Sequence, residues 1–124
     1  MANVETTLDA ESALNKALDI GGATAAMIVD YNSGMSLGSM GGGLDLDVAA
    51  AGNTQVVRAK MDTISELGLE GSIEDILITL TDAYHVIRPL PESTLFFYLV
   101  LNRQQANLAM ARYKLTSIVN ELVI

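Results

Sequence analysis

Apolar positions along this chain switch between a helical and a strand period, and the switches fall at glycine, proline or short polar residues. Ala10, Ala13, Leu14, Ala17 and Leu18 stand at i, i+3, i+4, i+7 and i+8, one narrow stripe that predicts a first helix. Thr6, Thr7 or Asp9 can cap its start and Gly21-Gly22 its end, while Glu11, Asn15, Lys16 and Asp19 form its solvated side. An apolar run from Ala25 to Val29 then breaks at Asp30-Tyr31-Asn32-Ser33-Gly34 and resumes as an alternation. Short polar side chains that bond their own backbone, followed by a glycine that accepts positive φ, predict a β-hairpin. On its second arm Met35, Leu37 and Met40 alternate with Ser36, Gly38 and Ser39, so one face of that arm is expected to be buried. Gly41-Gly42-Gly43 permits an abrupt change of direction.

A second, longer helix is predicted over residues 47–67, with Asp45 and Asp47 as cap and first-turn charges and Gly68 as the stop. Val57, Met61 and Ile64 form one row, continued upstream by Ala50 and Asn53. Val48, Ala49, Ala51, Val56, Ala59 and Leu67 widen the apolar surface beyond one stripe. A helix with one neighbour needs one stripe, so the extra width points to a second neighbour, from the same domain or from another chain. Ala49, Ala51, Gly52 and Ala59 are small enough for close helix-to-helix approach.

Three strands are predicted next. Residues 72–81 place Ile76, Ile78 and Leu80 on one face with Leu77, Thr79 and Thr81 opposite, and Asp82-Ala83 can turn the chain. Residues 84–90 form a strand stopped by Pro89 and Pro91, which have no N–H to give a ladder. Residues 95–101 are apolar throughout, the pattern of a strand covered on both faces and therefore central in its sheet. A last helix, residues 104–122, buries Leu108, Ala111, Leu115, Ile118, Val119 and Leu122. With no repeat, linker or low-complexity segment, residues 1–124 form a single α+β domain in the order α, β-β, α, β-β-β, α, with a mainly antiparallel sheet.

Composition narrows the function. Half of the 124 residues are apolar and 18% are charged, which suits a folded domain. The net charge is −8, with Lys and Arg scattered singly, so no basic footprint exists for nucleic acid, and anionic membrane surfaces would be repelled. No apolar run reaches the roughly 20 residues of a membrane helix, so no membrane insertion is expected. Residues 1–5 show neither the basic region nor the apolar core of a secretory signal, and cysteine is absent; both suit a cytoplasmic chain.

Candidate chemistry is sparse. A phosphate-binding loop at Gly41-Gly42-Gly43 is opposed by Asp45 and Asp47 and lacks a following Lys-Ser/Thr. The lone His85, beside Arg88, cannot assemble a zinc or nucleophilic site without cysteine and is expected to be structural or partly exposed. Glu74 and Asp75 are neighbours on a strand and point to opposite faces, so they are expected to be edge charges rather than a shared acid or metal site. No catalytic residue, metal site or cofactor site is assigned, and the chain is read as a non-enzyme.

The order of elements resembles the roadblock (dynein light chain) family, including its bacterial and archaeal regulators of Ras-like GTPases. The stretch Ala26-Met27-Ile28-Val29-Asp30-Tyr31-Asn32-Ser33-Gly34-Met35-Ser36-Leu37 is similar to the family's first two strands. Tyr84-His85-Val86-Ile87-Arg88-Pro89-Leu90, residues 95–101 and Asn107-Leu108-Ala109-Met110-Ala111-Arg112 are similar to its last strands and last helix. The resemblance implies a five-stranded, mainly antiparallel sheet of profilin-like shape, with the long helix on one face and the two terminal helices on the other. It also implies a homodimer whose third strands pair edge to edge while the second helices pack side by side. That surface would use Ala49, Gly52, Val56, Ala59 and Thr63 with Ile76, Leu77, Ile78 and Thr79. Paired helices would present Gln55, Arg58, Lys60, Asp62 and Glu66 to a small GTPase, without a cofactor and without an arginine finger. Alternatives are a ligand-sensing domain of PAS-like or profilin-like shape, which needs a pocket lined by Met27, Met35, Phe96 and Tyr98, and a purely structural dimerisation subunit of a motor or signalling complex. Ordinary core packing is the simpler use of those four side chains.

Overall fold

A computed structural model describes residues 7–123; the readings placed on residues 1–5 and on Thr6 lie outside them. The elements are α1 (Ala10–Leu18), β1 (Ala23–Asp30), β2 (Met35–Gly41), α2 (Leu46–Glu66), β3 (Ile76–Thr79), β4 (Ala83–Pro89), β5 (Leu95–Asn102) and α3 (Leu108–Glu121). They form one five-stranded antiparallel sheet in the order β2-β1-β5-β4-β3. As expected from its unbroken apolar run, β5 is central and buried on both faces.

Alternation along β1 and β5 splits the core in two. Ala26, Ile28, Phe97, Leu99 and Leu101 face α1 and α3, where Ala13, Leu14, Ala17, Ala111, Leu115, Ile118 and Val119 close over them. Ala25, Met27, Val29, Phe96, Tyr98 and Val100 face α2, which contributes Ala50 and Val57. The long helix therefore occupies one face and the terminal helices the other. Met27, Phe96 and Tyr98 are fully buried core residues, and Met35 stands outside with 68% of its surface exposed. Those residues pack; they do not line a ligand pocket.

The local signals act as their chemistry predicts. Asp9 caps α1 by accepting from the Ser12 N–H at 2.8 Å. In the hairpin turn Asp30 Oδ1 accepts from the Asn32 N–H at 2.8 Å, the Ser33 hydroxyl accepts from the Met35 N–H at 3.2 Å, and Gly34 takes φ 79°. Gly41 ends β2 at φ 88°; a Cβ there would collide with the Thr24 carbonyl and lie 2.7 Å from Ala25 Cα, so only glycine fits. Asp45 then caps α2 by accepting from the N–H groups of Asp47 and Val48, and Gly68 at φ 69° follows its last turn.

Four expectations are corrected. The second hairpin arm does not bury Met35 and Leu37, which are both exposed. The β1–β2 register slips between Ile28 and Val29, so Leu37 is an extra, bulged residue, and α1 reaches only the far end of the strand, where Leu14 packs over Gly38. The third strand spans only Ile76–Thr79 rather than residues 72–81. Its pairing with β4 stops at Ile76↔Ile87, and the preceding Asp75 is turned aside into a two-bond ion pair with Arg112 of α3, at 2.8 and 2.9 Å. Asp75 is thus a tie between sheet edge and helix and not an edge charge. The last helix begins at Leu108 rather than near Gln104 because Asn102 holds the intervening turn through Gln104 and Ala106, and Asn107 caps the helix by accepting from the Met110 N–H.

Candidate dimerisation and partner surface

The 3.6-residue period of α2 divides its 21 residues into unlike strips. Ala50, Thr54 and Val57 are buried against the sheet, with Asn53, Met61 and Ile64 partly buried beside them. Thr54 is a further core residue; its hydroxyl donates to the Ala50 carbonyl at 2.7 Å, which satisfies the polar atom inside the helix. Its spacing, four residues after Ala50 and three before Val57, places it on the buried stripe; only its polarity argues for the surface.

A second strip turns toward the β3 side. Val56, Ala59, Lys60, Thr63 and Ile64 line one wall of an open groove of about 620 Å³, and Ile73, Glu74, Asp75 and Ile76 line the other. Val56, Ala59, Thr63 and Ile76, all expected at a dimer surface, are brought to this one groove. Ala49 lies one strip inward, half-buried against the core, and Gly52 is exposed on the same side of the helix. On β3, Ile76 and Ile78 pack under α2, whereas Leu77 and Thr79 point to the opposite face of the sheet and are exposed.

β3 pairs with β4 alone, so its outer edge has no strand partner among the described residues. Of the candidate partner residues, Gln55, Arg58, Asp62 and Glu66 are exposed on the outward side of α2. Lys60 is exposed too, but it stands in the groove and does not share their face.

A polar cluster underlies this surface. The Tyr98 hydroxyl and His85 Nδ1 are 2.9 Å apart, with the rings edge to face, and Asn53 of α2 also hydrogen-bonds Tyr98. Burial pushes His85 below its ordinary pKa and Tyr98 above its own, the Asn53 bond offsetting part of the latter, so both are neutral at neutral pH. His85 is structural, holding β4 to β5 beneath the helix. Among the described residues no three His, Asp or Glu side chains are grouped as a metal site, and no helix is long and apolar enough to cross a membrane.

With the sheet order, the split of the helices between faces and the bare β3 edge established, comparison with solved structures becomes informative. A Roadblock/LC7 domain from Streptomyces avermitilis superposes with a TM-score of 0.78 over 91% of this chain and 93% of its own, at 14% identity. This chain has the Roadblock/LC7 fold. MglB from Myxococcus xanthus matches with the same TM-score of 0.78 at 14% identity, covering 88% of this chain and 87% of that one. An MglB in a tetrameric arrangement matches at 18% identity with a TM-score of 0.65, over 88% and 86% of the two chains. No protein-family model matches the sequence, and no curated protein does. At such identities it is the Roadblock/LC7 architecture that is shared.

Proposed function

We propose that this Roadblock/LC7-fold chain is a non-catalytic, homodimeric interaction module that binds and regulates a Ras-like small GTPase in the cytoplasm. One observation carries the first half: the apolar strip of α2 and the unpaired edge of β3 border a single groove, so one surface offers both side-chain burial and free backbone groups to a second copy. A two-fold axis there would join β3 to β3 and α2 to α2, an arrangement in which each contact occurs twice. The second half rests on the resemblance of the sequence to GTPase regulators, on the fold shared with MglB, and on the polar strip Gln55, Arg58, Asp62 and Glu66 that pairing would leave outward.

Light scattering tests the pairing, with twice the 13.2 kDa chain mass expected at micromolar concentration and a monomer overturning it. Mixing the protein with Ras-like GTPases loaded with GTP or GDP, and following binding and hydrolysis, tests the partner. Binding that depends on the nucleotide is expected. A dimer that binds neither form is a structural dimerisation subunit.

A further inference from the structure

The early end of β3 exposes an unused cation. Arg88 and Phe97 are cross-strand partners, which places Arg88 on the sheet face shared with α3. Asp75, the carboxylate that would stand nearest in an extended β3, is taken by both arms of Arg112. Arg88 is partly buried and makes no hydrogen bond or ion pair with any described residue, and its Nε is a buried donor without a partner. A guanidinium so placed is costly unless something accepts from it.

Arg88 borders a cleft of about 590 Å³ that wraps the end of the sheet, within the size range of small-molecule sites. Its walls include Met61, Ile73 and Leu90, and two exposed carboxylates, Glu74 and Glu92, stand at its rim. Glu92 is also the only non-glycine described residue with positive φ, 54°, a strained conformation held in the β4–β5 turn. The turn is fastened from below by the Tyr31 hydroxyl, which donates to the Ser93 carbonyl at 3.0 Å.

We infer that this cleft is a binding site for a small zwitterion with an apolar side chain, an apolar α-amino acid. A carboxylate accepts from the planar guanidinium of Arg88, including its buried Nε; an ammonium answers Glu92 and Glu74; and the side chain lies against Met61, Ile73 and Leu90. A simple anion would meet two carboxylates and one cation, and a simple cation would leave Arg88 unpartnered. The cleft shares Ile73 and Glu74 with the α2 groove, whereas Arg88, Leu90 and Glu92 lie outside that groove.

Titration calorimetry of the full chain with leucine, valine and phenylalanine, beside leucinamide and 4-methylpentanoate, tests it. At least one amino acid binds saturably, and leucinamide, without the carboxylate, and 4-methylpentanoate, without the ammonium, bind at least about tenfold more weakly than leucine. Arg88→Gln weakens the amino acid by at least about tenfold while circular dichroism stays native, and Glu92→Gln weakens it without weakening 4-methylpentanoate. Absence of saturable binding below about 10 mM for all three amino acids, or equal affinity in Arg88→Gln, overturns the site and leaves water as the partner of Arg88.

Discussion

The sheet ends in two edges that look alike in topology and differ in chemistry. At β2, the exposed Met35 and Leu37 suggest a sticky edge, yet Leu37 is a bulge and the Ser36 hydroxyl both accepts from the Gly38 N–H at 3.1 Å and donates to the Gly38 carbonyl at 3.2 Å. The Gly38 backbone groups are thereby occupied, and the bulge spoils the register for a foreign strand. At β3 no described side chain occupies the outer edge in this way, the strand has no bulge, and the strip of α2 beside it is apolar and small. Exposed large side chains stand at both edges, Met35 and Leu37 at β2 and Leu77 at β3, so exposure alone does not tell the edges apart. What makes an edge available is the state of its backbone and the shape beside it.

The sharpest way to break this contrast is one charge on each side. Ala59→Glu puts a carboxylate into the α2 groove of both copies, and burying it there is expected to weaken self-association by about 100-fold or more, seen as a monomer by light scattering. Leu37→Glu is expected to leave the mass unchanged. A dimer that survives Ala59→Glu and is lost with Leu37→Glu reverses the assignment of the edges.

The tie that shapes the β3 side can be cut next. Asp75 has 9% of its side chain exposed and Arg112 has 43%, so the pair is only half shielded from water. Its two hydrogen bonds hold Arg112 still more firmly protonated. Arg112→Ala is expected to lower stability by about 1 kcal/mol in urea unfolding and to speed amide exchange over residues 72–76, with no effect at β2.

His85 adds a pH dependence to the same side. Burial lowers its pKa in the folded chain, so the unfolded chain binds the proton more readily. The stabilising contribution is complete above the unfolded value of about 6.5 and is lost as pH falls from there through the lower folded value. Thermal unfolding followed from pH 7.5 downward is expected to show this loss, and His85→Gln to flatten it. The smallest effect belongs to β2: Ser36→Ala is expected to change stability by less than about 0.5 kcal/mol but to release the Gly38 backbone groups, raising slow aggregation measured by thioflavin fluorescence.

Much of the fold was legible because it rests on local signals. Asp30, Asn32 and Gly34 state a turn, Asp45 and Gly68 bracket a helix, and the unbroken run of β5 states a central strand. The second apolar strip on α2 was also visible, since its period is a property of the chain. Two of the misses have one cause. Leu37 was read as buried because alternation cannot register a bulge, which exists only relative to β1. Residues 72–75 were read as strand because their pattern continues, whereas Asp75 is claimed by an arginine 37 positions away.

By itself, then, the sequence determined which segments become helix or strand, that β5 lies at the centre, and that α2 carries more apolar surface than one neighbour needs. Only the tertiary structure decided that Asp75 goes to Arg112 while Arg88 is left with an open cleft, and that the β2 edge carries a bulge while β3 does not. Periodicity and capping act within a few residues and are written in order along the chain. The pairing of charges and the occupation of an edge are settled between segments that meet only after folding, where one carboxylate can satisfy one arginine and not two.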